Sequence, residues 1–146
     1  MKKILLLATA FVFTLGMSAQ VKIEETVKIN TENHDFGKIK QGVPVFYYFE
    51  IKNISDKAVV VENSWSTCGC TTPEKIVEPI MPGTTAKLKV EYNAAAVGPI
   101  NKDVYIKFAG IDQTKSVKIT GEVLTAEAYE IYVKEKGAKV PTPKKG

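Results

Sequence analysis

Strict alternation of apolar and polar residues is the feature that most constrains the fold of this chain. In "TTAKLKVEYN", the side chains of Ala86, Leu88, Val90 and Tyr92 fall on one side, and charged residues fall on the other. A period of two residues is typical of a β-strand with one buried face and one solvated face. The same alternation recurs in "VPVFYYFEIKN", "AVVVENSW", "NKDVYIKFAG" and "SVKITGEVL".

Residues that favour turns separate these segments at short intervals. They cluster at Gly37 with Gly42, and at 53–57, 82–83, 98–99 and 110–113. Short strands at this spacing predict an all-β fold, namely an immunoglobulin-like antiparallel β-sandwich of about seven strands. A small closed β-barrel is the alternative. In either fold the alternation directs Trp65 toward the core, and "AYEIYVK" can extend the last strand.

The first nineteen residues have the pattern of an export signal. A basic start, Met1-Lys2-Lys3, precedes an apolar run at 4–15 and small residues before Gln20. This run is shorter than the roughly twenty residues that span a bilayer. We therefore predict a cleaved signal peptide at 1–19, a sandwich domain at 20–124 and a C-terminal extension at 125–146 with a Lys/Pro-rich tail. No cysteine stands directly after the apolar run, so we expect a periplasmic or secreted protein rather than a lipoprotein, with no membrane span.

The charge of the chain argues against binding to nucleic acid. Without the two lysines of the predicted signal, 18 lysines face 16 acidic residues, which gives a net charge of +2. The sequence contains no arginine. Arginine provides most bidentate recognition of phosphates and bases, so its absence disfavours a nucleic-acid partner.

The sequence offers little for catalysis. His34, in "NHDFG", is the only histidine, and no serine lies within a G-x-S-x-G motif. No glycine-rich phosphate loop is present either. We interpret His34 as a polar residue near a strand end, and we predict a protein that is not an enzyme and carries no cofactor.

Both cysteines lie in "WSTCGCTT", on either side of Gly69. An extended strand would hold their Cα atoms roughly 6.5 Å apart, whereas a disulfide favours about 5.5–6 Å, so a bridge requires a bend at Gly69. Export would permit oxidation of the pair. Four interpretations stay open, namely a disulfide staple, a thiol-redox site, a Cu(I) site with Cys68 and Cys70 as ligands, and a structural turn whose thiols fill apolar space. A zinc site would need two more ligands.

Outward aromatic residues suggest a surface for a partner. Phe46 and Tyr48 share the polar face of their segment, and Tyr105 faces outward on a later one. An aromatic cluster on a solvent face is typical of a protein interface. The alternative is that the tail or an N-terminal strand covers this face. We expect the partner to be another envelope or extracellular protein.

The segments "HDFGKIKQG", "STCGCTTPE" and "PIMPGTTAKLKVEYN" resemble the bacterial family called domain of unknown function 1573, over roughly residues 34–123. Cys68, Gly69, Cys70 and Thr71 match the family pattern. The resemblance implies an exported immunoglobulin-like module, similar to Hydin-type and major-sperm-protein-like domains, with no settled activity. We therefore predict an exported, non-catalytic binding or assembly module. A thiol-redox or Cu(I)-binding protein is the alternative.

Overall fold

The computed structural model describes residues 21–137, which form two four-stranded β-sheets packed face to face. The strands are β1 (Val27–Ile29), β2 (Asn33–Lys40), β3 (Val45–Asn53), β4 (Val61–Ser66), β5 (Thr71–Pro73), β6 (Thr85–Tyr92), β7 (Gly98–Phe108) and β8 (Thr114–Leu124). The first sheet has the strand order β1-β3-β6-β5, and the second has the order β2-β8-β7-β4. The predicted all-β sandwich is confirmed, with eight strands rather than about seven.

Two short helices flank the strands, α1 (Ile23–Thr26) and α2 (Ala126–Lys136). Within residues 21–137, no helix is long and apolar enough to cross a membrane. The predicted signal peptide at 1–19 and the end of the chain at 138–146 lie outside the described residues.

The alternation in the sequence produces the core between the sheets. Inward side chains of β3 and β6 meet those of β7 and β8, and each fully buried aliphatic or aromatic side chain contributes about 1.5–3 kcal/mol. The largest fully buried apolar residues are Phe49, Ile51, Leu88, Val90, Val104, Ile106, Phe108, Val117, Ile119 and Val123.

One strand pair departs from the predicted antiparallel arrangement. β2 lies parallel to β8, with Asn33 opposite Lys118 and Lys40 opposite Leu124. β2 and β3 are consecutive in the chain but belong to different sheets. The neighbour of β2 is therefore the last strand, which arrives in the same direction, instead of a hairpin partner.

An extra residue in β4 reverses the direction of Trp65. Val61 and Asn63 pair with consecutive residues of β7, so Glu62 forms a bulge. A bulge shifts the alternation by one position. Val61 is buried, whereas Trp65 is 38% exposed and pairs with Tyr105 on the outer face. The prediction that Trp65 lies in the core is wrong for this reason.

A second bulge lies in β2, where Phe36 and Gly37 face Gly121 of β8. Gly37 was predicted to lie in a turn, but it is inside the strand with a φ of 65°. Gly121 has a φ of 150°, and a Cβ built on it would lie 2.8 Å from the Gly37 carbonyl oxygen. Because of this bulge, Ile39 is buried on the same side as Phe36.

The segment "AYEIYVK" forms part of α2, so the proposed extension of the last strand is wrong. The side chain of Thr125 accepts a hydrogen bond from the Ala128 N–H and caps the helix. Hydrogen bonds from its own backbone N–H and from Thr125 lower the pKa of Glu127. Gly137 ends the helix in the left-handed conformation. These end signals outweigh the strand preference of Tyr, Ile and Val.

Candidate functional site

A cleft of about 600 Å³ opens between the two sheets, on the side where β2 and β3 face each other. Its size is within the range of small-ligand sites. Its walls are mostly aromatic and aliphatic, and a few polar side chains lie at the rim. The lining residues used below are Asn30, His34, Asp35, Phe36, Phe46, Tyr47, Tyr48, Glu50 and Lys87.

Stacked rings form the wall of the cleft. The rings of His34 and Tyr47 are parallel within 10°, and their centroids are 3.6 Å apart. Phe36 contacts His34 edge-on, with a centroid distance of 4.7 Å. Tyr47 makes a similar contact with the buried ring of Phe49 at 5.0 Å. The wall therefore continues from the edge strand of one sheet into the core of the other.

The surroundings of the His34 imidazole favour its neutral form. Partial burial lowers the pKa of His34, and the nearby carboxylate of Asp35 opposes that shift. The same carboxylate accepts a hydrogen bond from the Gly37 N–H at 2.9 Å, which fixes it at the bulge. His34 is the second residue of β2, near the strand end as predicted, and its ring also lines the cleft.

The cleft lies beside an open edge of β3. β1 pairs with β3 only at residues 51–53. Asn30 then caps the edge, because its side-chain oxygen accepts from the Glu50 N–H at 2.9 Å and its own N–H donates to the Glu50 carbonyl at 3.1 Å. By alternation, the N–H and C=O groups of Phe46 and Tyr48 point toward this same edge. β6 pairs with β3 at those two positions on the other side, but among the described residues no strand pairs with them along this edge.

The predicted partner surface is divided between two opposite faces. Phe46 and Tyr48 lie on the outer face of the first sheet, with ring centroids 5.6 Å apart. Lys89 Nζ lies 5.1 Å from the centroid of the Phe46 ring, and Lys87 Nζ lies 6.0 Å from that of Tyr48. Tyr105 belongs to β7 in the other sheet. The three aromatic residues therefore do not form one surface.

Tyr105 instead forms a pair with Trp65 on the outer face of the second sheet. The two rings are 5.6 Å apart between centroids, and their planes differ by 24°. The alternation of the sequence hides this pair, because the bulge at Glu62 turns Trp65 outward.

Cys68 and Cys70 form a disulfide in the turn between β4 and β5, with Cα atoms 5.3 Å apart. Both side chains are half-buried, and Cys70 packs against the core. The closed loop has three residues, for which the loop-entropy relation gives only about 1.6 kcal/mol of stabilisation. The bridge is therefore a weak staple.

Metal binding at this turn is restricted by the same bond. Residues 21–137 contain no group of three or more His, Cys, Asp or Glu side chains that could hold a metal. Two sulfurs that are bonded to each other provide no thiolate, so the Cu(I) interpretation of Cys68 and Cys70 applies only to a reduced protein.

The cleft is not predicted by the alternation of the sequence, although one signal for it is present. Glycine inside a strand often marks a bulge, and "HDFGKIK" has this pattern at Gly37. A bulge there would have placed Phe36 and Ile39 on one side. No similar pattern in the sequence indicates that β1 is short and leaves the edge of β3 open.

Several solved structures share the fold. A Porphyromonas gingivalis W83 protein of unknown function aligns with a TM-score of 0.58 and 16% identity, over 66% of this chain and 46% of that one. The ASH/PapD-like domain 7 of human CEP192 aligns with a TM-score of 0.58 and 14% identity, over 70% of this chain and 87% of that one. The Vibrio cholerae VesB protease aligns with a TM-score of 0.56 and 13% identity, over 68% of this chain and 32% of that one.

At these identities the likeness shows an immunoglobulin-like fold alone. This chain spans about half the length of the Porphyromonas protein and about a third of the length of VesB. No curated protein matches the sequence. The family described as protein of unknown function (DUF1573) matches residues 27–123, from the start of β1 almost to the end of β8. Since this match covers well over half of the chain, the protein belongs to the DUF1573 family.

Proposed function

We propose that this protein is an exported, non-catalytic binding module that holds an extended segment of another polypeptide against the free edge of β3. The observation that carries the proposal is the unpaired edge at Phe46 and Tyr48, directly beside the aromatic cleft. An added strand gains main-chain hydrogen bonds from such an edge, and adjacent pockets select its side chains.

The ends of the free edge define the length of the bound segment. Pro44 precedes β3 and has no N–H to donate. At the other end, Asn30 already satisfies the N–H and C=O of Glu50. About five residues of β3 are left for pairing, so the bound segment is a short strand of similar length.

The walls of the cleft define the chemistry of the bound segment. Every second side chain of an added strand would point toward His34, Phe36 and Tyr47, which favours aliphatic or aromatic residues at alternate positions. Asp35, Glu50 and Lys87 lie at the rim and leave room for polar residues between them. An envelope or extracellular protein is the partner that the predicted export implies.

Amide hydrogen exchange tests this mode of binding. A random peptide library displayed on phage would be selected against the immobilised protein, and a selected synthetic peptide would be added to the labelled protein. We expect the amides of Phe46 and Tyr48 to exchange more slowly in the complex. The Glu50 amide, already bonded to Asn30, serves as the internal control. Peptide binding without slower exchange at Phe46 and Tyr48 would reject strand addition at the edge of β3.

A pair of variants separates the main chain from the side chain. Tyr48→Pro removes the N–H that faces the edge and leaves the hydrogen bonds between β3 and β6 in place, because those involve the neighbouring residues. Tyr48→Ala keeps the N–H and removes the ring. We expect the proline variant to lose affinity for the selected peptide far more than the alanine variant, with both folded by circular dichroism. Equal affinities would contradict strand addition.

Export has a direct test of its own. Intact-mass measurement of the protein recovered from the envelope and the medium should give a chain that begins at Gln20. A full-length chain confined to the cytoplasm would reject export and leave the peptide-binding test unaffected.

A further inference from the structure

The turn that carries both cysteines lies on the opposite side of the sandwich from the cleft. β4 is the last strand of one sheet, β5 is the last strand of the other, and the turn connects them. The cleft lies beside β2 and β3 on the far side. A function of the Cys68 and Cys70 pair is therefore independent of peptide binding at β3.

Hydrogen bonds hold the geometry of this turn in addition to the disulfide. The Thr71 N–H donates to the Cys68 carbonyl at 3.2 Å, and the Asn93 N–H donates to the Cys70 carbonyl at 3.0 Å. Just before the turn, the Ser66 hydroxyl donates to the Asp103 carbonyl at 2.9 Å. Because these bonds anchor both ends, the two thiols of a reduced protein would stay close together and ready to reoxidise.

The surroundings of the two sulfurs differ in their hydrogen-bond donors and in their contact with the apolar core. The Cys70 N–H donates to Cys68 Sγ at 3.2 Å, and a backbone N–H stabilises an anionic sulfur. The Thr71 hydroxyl lies 4.0 Å from Cys68 Sγ and 3.8 Å from Cys70 Sγ, and the rest of that side chain is buried. Cys70 packs against the apolar core, which disfavours charge there. The arrangement therefore favours negative charge on Cys68.

We propose that the Cys68–Cys70 disulfide is a reversible redox couple that exchanges with a protein dithiol, and that Cys68 is the leaving thiolate. A thiolate of the partner attacks Cys70 Sγ, the bond between Cys70 and Cys68 breaks, and its electron pair goes to Cys68 Sγ. The second thiolate of the partner then attacks the partner sulfur of the mixed disulfide and releases Cys70. This protein gains two electrons and two protons, and the partner becomes a disulfide.

Titration in glutathione redox buffers tests the couple on the folded protein. After alkylation of free thiols, mass spectrometry measures the fraction of reduced protein, and circular dichroism reports the fold in the same samples. We expect a reversible two-electron transition with an unchanged fold. A bridge that is reduced only in denaturant, or a protein that unfolds on reduction, would show a structural staple and overturn the proposal.

Competitive alkylation tests the assignment of the leaving group. The reduced protein would be treated with limiting iodoacetamide near neutral pH, and each cysteine would be quantified by peptide mapping. One hydrogen bond to an anion raises the thiolate fraction about tenfold, and the lower nucleophilicity offsets part of this gain, so Cys68 should react about threefold faster than Cys70. Equal rates, or faster labelling of Cys70, would overturn the assignment.

Two threonine variants provide a matched comparison. Thr71→Val removes the hydroxyl beside both sulfurs and keeps the shape of a buried side chain, whereas Thr72→Val makes the same change at the exposed neighbour. We expect slower reduction by glutathione for Thr71→Val alone, with both proteins folded. Identical rates in the two variants would show that the buried hydroxyl does not assist the exchange, which would contradict the proposed environment of the leaving thiolate.

Discussion

The ring of His34 lies flat against the ring of Tyr47, with 3.6 Å between their centroids. The two residues come from different sheets, since His34 is on β2 and Tyr47 is on β3. Asn30 supports the pair from the side, because its amide donates to the Tyr47 hydroxyl at 3.2 Å. This stack forms part of the cleft wall and, through Tyr47 and Phe49, connects an edge strand to the core.

The stack makes stability depend on pH in a defined direction. Burial lowers the pKa of His34 below its ordinary value of 6.5, so the unfolded chain takes up the proton first as the pH falls. The contribution of His34 to the free energy of unfolding is therefore complete above about pH 6.5 and decreases as the pH falls through the lower pKa of the folded state. Urea denaturation between about pH 7.5 and about pH 5 measures this change.

A phenylalanine at this position provides the control. His34→Phe keeps an aromatic ring against Tyr47 and removes the titrating group. We expect its stability to vary less with pH over the same interval than that of the wild type. Parallel pH profiles of the two proteins would show that other groups cause the dependence.

The sequence was sufficient to predict the strands wherever alternation is uninterrupted, as in β6. The prediction from alternation failed at the two bulges, because one extra residue turns every later side chain of the strand to the opposite face of the sheet. Trp65 was assigned to the core for this reason, and the cleft beside Phe36 was not foreseen. Which edge of a sheet stays open depends on pairing between distant segments, and local patterns carry little information about it.

The close contact between β2 and β8 requires glycine at position 121. Gly121→Ala would place a Cβ 2.8 Å from the Gly37 carbonyl oxygen, at a φ of 150° that disfavours any side chain. We expect a loss of about 2 kcal/mol or more in the free energy of unfolding. Gly69→Ala is the matched control, because no atom lies within 4 Å of its added Cβ, and it should cost no more than about 0.5 kcal/mol. Similar losses for the two variants would contradict this packing.

The outward position of Trp65 predicts a small effect of its removal. A buried tryptophan costs about 3–5 kcal/mol when truncated to alanine. Trp65 is 38% exposed and makes its aromatic contact with Tyr105, so Trp65→Ala should cost about 1 kcal/mol. A double-mutant cycle with Tyr105→Ala should give a coupling energy of about 0.5–1.5 kcal/mol. A loss in the range of a core residue would place the side chain inside the sandwich.

Asn53 is expected to be the most sensitive polar residue of the sandwich, because its side chain is completely buried and fully hydrogen-bonded. Its amide donates to the carbonyls of Lys57 and Ile80, both at 2.7 Å, and its oxygen accepts from the Ser55 N–H at 2.9 Å. These bonds close the turn after β3. Asn53→Ala leaves buried carbonyls without a donor, which should cost about 3 kcal/mol in urea denaturation. The control Asn63→Ala removes an exposed amide that accepts one bond from its neighbour, and it should cost less than about 1 kcal/mol. Comparable losses for the two asparagines would show that the turn is held mainly by its backbone.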